Sequence, residues 1–127
     1  MTNYLEPYSI TFGRDYDFKV KYELLNPEQG GRVSPAFQGI KWDFGYQHEA
    51  IKSNQLFMIY PEFEDGDGNI LSNEKPIPPT GIARMFIFRK SKINFHKEKI
   101  HVGIKGTFNE GKPIGKCEVI EINFKQQ

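Results

Sequence analysis

Side chains that could do acid–base, nucleophilic or metal chemistry are few in this sequence and lie far apart. His48, His96 and His101 have no cysteine or carboxylate at zinc-ligand spacing, so we expect solvated or rim histidines. The chain contains no local signature of a Ser/His/Asp triad. It also lacks a Gly-x-x-x-x-Gly-Lys-Ser/Thr segment to cradle nucleotide phosphates. The sequence therefore predicts a protein that is not an enzyme and uses no metal, nucleotide or other cofactor.

Oxygen-bearing side chains alternate along residues 64–69, Glu-Asp-Gly-Asp-Gly-Asn, as they do in calcium-binding loops. A loop starting at Asp65 needs glycine at its sixth position and an acidic residue at its twelfth, where this chain has Ile70 and Pro76. The segment cannot wrap a cation in the usual geometry. We interpret it as a flexible hairpin tip.

The composition limits the possible partners and compartments. Lys+Arg 17 against Asp+Glu 16 gives a net charge of +1, so any nucleic-acid binding would need a local patch. The single cysteine, Cys117, cannot form an internal disulfide, and its alternating context indicates an inert, half-buried thiol in a reducing compartment. The first residues do not resemble a leader, and no apolar run approaches membrane-helix length. We expect a cytoplasmic protein without a membrane partner.

The densest group of backbone-shaping residues is segment 30–39, Gly-Gly-Arg-Val-Ser-Pro-Ala-Phe-Gln-Gly. Gly30 and Gly31 allow the positive φ of a tight reversal, and Pro35 holds the chain extended as it leaves the turn. The segment joins two long alternating stretches. We therefore expect the rest of the fold to be organised around it.

Apolar and polar residues alternate along most of the chain, which is typical of half-buried β-strands. In the first strand, for instance, Phe18, Val20, Tyr22 and Leu24 share one face. The same reasoning gives six strands, at about residues 16–25, 36–48, 56–63, 82–89, 100–108 and 114–124. No segment carries a convincing helical period. Because closure removes exposed strand edges, the sequence predicts an all-β fold, a single six-stranded antiparallel closed β-barrel.

The other segments flank or connect the strands within one predicted domain, residues 1–127, with the barrel at 16–124. Residues 1–15 have no period, and we expect an extended N-terminal arm. Residues 64–81 are rich in proline and glycine, which predicts an exposed, mobile excursion. Residues 90–99 are basic and irregular. In the fourth strand both faces are apolar, which indicates burial on both sides or a contact surface.

From about residue 16 to residue 122 the order of motifs resembles the C-terminal β-barrel, or third domain, of elongation factor Tu and its relatives. That family has a Gly-Gly-Arg turn, a proline and a Phe-x-Gly, and here these are Gly30-Gly31-Arg32, Pro35 and Phe37-Gln38-Gly39. A strand of alternating aromatics follows, here residues 40–46. The family's closing glycine, Arg-Glu-Gly turn and second glycine are matched by Gly103, Asn109-Glu110-Gly111 and Gly115.

In the elongation factors this barrel contacts aminoacyl-tRNA, the exchange factor and the GTPase domain. The resemblance implies a free-standing, non-enzymatic binding module that engages a tRNA-like RNA or a translation-related protein. It also implies that the Gly-Gly-Arg turn lies near the last hairpin, where four cations could form one basic stripe. The predicted binding residues are Gly30, Gly31, Arg32, Lys41, Glu110, Gly111, Lys112 and Lys116.

Other interpretations stay open at this level. Arg32 could contact phosphate, as the resemblance implies, or tie down nearby loop carbonyls or a carboxylate. The barrel could also be a protein-interaction or immunity-type module unrelated to translation, using the 64–81 loop and the fourth-strand aromatics, Phe86 and Phe88. An enzyme with a site assembled across loops is the third possibility.

Overall fold

The computed structural model describes residues 6–124, and within that range the chain forms six strands and two short helices. The strands are β1 (Phe18–Leu24), β2 (Asp43–Tyr46), β3 (Ile59–Phe63), β4 (Thr80–Ile87), β5 (Lys105–Asn109) and β6 (Pro113–Ile122). Helix α1 spans Tyr8–Thr11 and helix α2 spans Ile93–Lys97. All strand pairs are antiparallel, in the order β2-β5-β6-β1-β4-β3. The predicted all-β class is confirmed.

The inner face of the curled sheet carries the hydrophobic core. Phe18, Val20 and Tyr22 alternate along β1 and are buried, as the sequence pattern predicted. Aromatic rings fill much of the interior, where Trp42 and Phe108 lie 5.5 Å apart between ring centroids. Large rings suit this interior because each one buries much apolar area on a pleated surface.

The predicted closure of the barrel is wrong, because the sheet is an open half-barrel with β2 and β3 at its edges. The edges meet at one isolated bridge. There the Phe44 amide donates to the Phe57 carbonyl at 3.0 Å, and the Phe57 amide donates back at 2.9 Å. No ladder forms at this seam, since β2 has only four residues and residues 47–56 then leave the sheet in turns.

Three further expectations also need correction. The predicted second strand at 36–48 is regular only in β2, because Gly39 takes a φ of 97° and interrupts the extended chain before it. The described part of the predicted extended arm contains helix α1. Residues 64–81 are not simply exposed, because Leu71 and Ile77 are buried in the core.

The absence of helix was also predicted wrongly at residues 93–97, where α2 forms. Ile93 and His96 anchor this single turn in the interior. Five residues are too few to display a helical period, so tertiary packing decides this conformation. No helix in the range 6–124 has the length and apolarity needed to cross a membrane.

Candidate binding surface at the turn end

The two ends of the sheet carry different structures. At one end β1 and β5 finish while β4 and β6 begin, since Glu23 pairs with Thr80 and Leu24 with Gly115. We call this the turn end, and it includes the Gly-Gly-Arg turn (residues 25–36) and the last hairpin (residues 109–113). The other end, where residues 88–104 connect β4 to β5 through α2, is the helix end.

The turn after β1 is built by local hydrogen bonds that require its glycines. Asn26 and Gln29 form a reciprocal capping box around a 3₁₀ turn at Pro27–Gln29. Gly30 then takes a left-handed φ of 95°. A Cβ on Gly31 would lie 1.8 Å from the Leu25 carbonyl oxygen, so only glycine fits there. These contacts fix the direction in which Arg32 leaves the turn.

Arg32 joins this turn to the last hairpin across 78 positions of sequence. Its Nη1 lies 2.5 Å from Oε2 of Glu110, and its other nitrogens donate to Ser34 and to the Pro35 carbonyl. The Trp42 indole nitrogen approaches the same carboxylate oxygen at 3.4 Å. Arg32 therefore ties down loop carbonyls and a carboxylate, and the guanidinium is already engaged.

Beside this ion pair lies a cleft of about 340 Å³. Apolar side chains form most of its wall, including those of Leu24, Ala36, Ile77 and Ile114. At its rim the side chain of Val33 is 89% exposed. The apolar cleft, with Val33 exposed at its rim, is the candidate surface for a protein partner.

The other predicted cations do not share this cleft. Lys112 lines a groove of about 810 Å³ beside residues 45–56, whereas Lys116 lines a third depression of about 650 Å³ on the outer sheet face. Lys116 lies opposite Glu23 on β1 and Thr107 on β5. Lys41 is exposed but lines neither the cleft, nor the groove, nor the depression on the outer sheet face. The structure thus brings Gly30, Gly31, Arg32, Glu110, Gly111 and Lys112 to the turn end, where Arg32 lines the cleft and Lys112 lines the neighbouring groove. Lys41 and Lys116 lie outside the two turns.

The fourth-strand aromatics are mostly covered by the chain itself. Phe86 is 1% exposed and stacks on Phe12, with the ring centroids 5.4 Å apart. Phe88 is 49% exposed. Its ring packs edge-on against Phe12 and at a tilt against Tyr60. Both faces of β4 are therefore largely buried, which is the first of the two outcomes that the sequence predicted for this strand.

The acidic run at 64–69 forms a hairpin tip. Glu64 pairs with Lys19 and Arg84, at 2.9 and 3.0 Å. Asp65 Oδ1 accepts hydrogen bonds from the amides of Asp67 and Asn69. Between residues 6 and 124 no group of three His, Cys, Asp or Glu side chains could hold a metal.

His96 differs from the predicted rim histidine, because it is buried at the seam between β2 and residue 57. Its Nδ1 lies 2.8 Å from the Tyr46 hydroxyl, and its ring packs edge-on against Phe57. Burial, followed by the nearby charges of Lys99 and Lys92, lowers the pKa of His96 to about 4. Cys117 is also buried, and this burial raises the pKa of its thiol, so the prediction of an unreactive cysteine holds.

Sequence reasoning identified residues 90–99 as basic but assigned no function to this segment at the helix end. Arg89, Lys90 and Lys92 are exposed, and the Lys99 Nζ lies 3.6 Å from the centroid of the Phe95 ring. A simple count of charges along the chain identifies the segment.

No protein-family model matches this chain, and no curated protein matches it either.

Proposed function

We propose that this chain is a non-enzymatic binding module, resembling in fold the third domain of elongation factor Tu, whose turn end engages a translation-related protein. The observation that carries the proposal is the Arg32–Glu110 pair. It links the Gly-Gly-Arg turn to the last hairpin and offsets the charge of the guanidinium. A preorganised surface loses less entropy when it binds a partner.

The chemistry of this surface favours a protein over RNA. A phosphate group would have to compete with the Glu110 carboxylate for Arg32, and a carboxylate beside the site repels phosphate. The cleft wall is apolar, and Val33 projects from its rim. We infer that the partner inserts an apolar side chain into the cleft and packs against Val33.

A module that uses the 64–81 loop and the fourth-strand aromatics is the weaker alternative. Phe86 is covered by Phe12, and Leu71 of the loop faces the core. These side chains would have to leave their packing before they could contact a partner. The turn end offers its apolar surface without that cost.

The test is a capture experiment with matched variants. Tagged protein is incubated with extract of the source cells at physiological salt, with and without ribonuclease, and the retained protein is purified and titrated by calorimetry. Val33→Asp places a charge on the rim, whereas Val102→Asp places one at the helix end, where Val102 is 64% exposed. Circular dichroism confirms that both variants are folded.

We expect the purified partner to lose at least roughly tenfold in affinity for Val33→Asp, because a carboxylate would be desolvated in an apolar contact. Val102→Asp should bind as the parent does. Equal binding by all three proteins, or a partner that leaves on ribonuclease treatment, would contradict the proposal. Identification of the partner decides whether it belongs to translation.

A further inference from the structure

The helix end carries a concentrated positive charge that the overall balance conceals. Residues 89–99 contain Arg89, Lys90, Lys92, Lys97 and Lys99 against one acid, Glu98. The remaining residues of the chain carry 12 basic and 15 acidic side chains, so they are net acidic. We call residues 89–99 the basic segment. A local patch of this kind is what a nearly neutral protein needs in order to attract a polyanion.

These cations have no carboxylate partners, unlike many others in the molecule. Six ion pairs join carboxylates to Arg14, Lys19, Lys21, Arg32, Arg84 and Lys105. In the described part of the chain no ion pair involves a cation of the basic segment. Other unpaired lysines, such as Lys52 and Lys75, stand singly in separate segments. Within residues 6–124, only the segment 89–99 combines unpaired charge with high density.

The segment is held firmly on the fold. Ile93, His96 and Ile100 are buried, so the basic residues project from an anchored turn. The Phe95 ring carries Lys99 at 3.6 Å and Lys92 at 5.7 Å from its centroid. These cation–π contacts restrict two ammonium groups before any partner arrives.

The structure around the basic segment favours one class of polyanion over the others. A membrane-surface helix needs an exposed apolar face, but in α2 Ile93 is buried and the half-buried Phe95 ring is covered by Lys99 and Lys92. A five-residue helix is also too short to read a duplex groove as a recognition helix. Point charges on lysines suit sequence-independent phosphate contacts. Phe88, 49% exposed where the segment begins, offers a ring on which a base can stack.

We propose that the basic segment binds single-stranded nucleic acid through its phosphate backbone. This surface is at the helix end, away from the turn end, so it is a second site and does not depend on the protein partner proposed above. Three to five phosphate contacts would make the affinity strongly salt-dependent, with a slope of roughly −2 to −3.5 in log K against log salt.

Fluorescence anisotropy tests this with labelled oligouridylate and oligothymidylate of about 20 nucleotides, between about 50 and 300 mM KCl. Lys90→Gln/Lys92→Gln removes two cations from the segment, and Lys52→Gln/Lys75→Gln removes the same charge elsewhere. The first variant should lose roughly tenfold in affinity and reduce the magnitude of the salt slope by about 1.4. The second should stay within about twofold of the parent.

Competition separates nucleic acid from other polyanions. Unlabelled oligonucleotide should displace the probe, while polyglutamate and phosphatidylserine vesicles at equal charge should not. Absence of binding at the lowest salt would overturn the proposal. Equal losses in both double variants, or displacement by polyglutamate or vesicles as effective as by oligonucleotide, would also overturn it. The Val33→Asp variant should bind the probe normally, so this site and the turn end are tested separately.

Discussion

Single residues determine the turn end, and the two adjacent glycines do so for different reasons. Gly30 is required by its positive φ, whereas Gly31 is required by the lack of space beside the Leu25 carbonyl. The sequence indicated a tight turn at both positions. It could not distinguish conformational demand from steric demand, because the Leu25 contact appears only when the chain is folded.

Substitution of these glycines should separate the two effects. Gly30→Ala should lower the free energy of unfolding by about 1 kcal/mol, the cost of a left-handed alanine. Gly31→Ala should lower it by about 3 kcal/mol, because the backbone must move to admit a methyl group. Urea denaturation measures both, with Gly66→Ala as the control, since a Cβ there meets nothing within 4 Å. Equal losses at positions 30 and 31 would contradict the steric explanation.

His96 provides a second prediction at the residue scale. Its pKa of about 4 in the folded state lies below the ordinary 6.5 of the unfolded state. Between these values the unfolded chain binds a proton that the folded chain does not. Stability should therefore fall as pH drops from 6.5 to 4, by an amount on the order of 3 kcal/mol from this residue.

The measurement is the free energy of unfolding of the parent protein minus that of His96→Gln, at several pH values. This difference should decrease through the window for His96→Gln. His101→Gln, a substitution of an exposed histidine, is measured in parallel as the reference variant. Burial raises the pKa of Glu62, which acts in the opposite direction but is common to all three proteins. A constant difference for His96→Gln would show that this histidine does not titrate differently on folding.

Among the secondary structure elements, strands with strict alternation could be predicted from sequence and short packed segments could not. The faces of β1 and the pairing of β5 with β6 follow from alternation and turn chemistry. Helices α1 and α2 are single turns whose formation depends on contacts remote in sequence, such as Phe12 on Phe86. Local propensity is too weak to decide such segments.

Helix α1 and the residue after it should act as a cover on β4. Phe12→Ala should lower the free energy of unfolding by about 1 to 3 kcal/mol, because it uncovers Phe86 and removes three ring contacts. Ile10→Ala, in the same helix but 61% exposed, should change it by less than about 0.5 kcal/mol. Chemical denaturation with fluorescence detection compares them. Similar effects at both positions would mean that the covering role is not important for stability.

At the scale of the whole molecule, an open sheet replaces the expected closed barrel. Closure was a sound inference from six amphipathic strands, but it depends on whether residues 47–58 can form a ladder with β2. The chain instead forms turns there, and α2 packs its buried His96 against Tyr46 and Phe57 at the seam. The arrangement separates the molecule into a neutral, apolar turn end and a basic helix end.

The candidate site was only partly predictable for a related reason. Motif order placed the Gly-Gly-Arg turn beside the last hairpin, and the Arg32–Glu110 contact agrees with that placement. Whether Arg32 would be available to a partner depended on a carboxylate 78 positions away in the sequence. Lys41, Lys112 and Lys116 do not line the cleft, so a binding role for them stays a prediction.

The central claim is that the turn end holds a protein partner, and photocrosslinking in the source cells tests it most directly. A photoreactive amino acid is placed at position 33 at the turn end, at position 102 at the helix end, or at position 88 beside the covered aromatics. We predict that only position 33 gives a discrete protein adduct, resistant to ribonuclease and digested by protease, whereas any adduct at position 88 should be nucleic acid and sensitive to ribonuclease. Protein adducts from position 88 or 102 but not from 33, or a ribonuclease-sensitive adduct at 33, would contradict the claim.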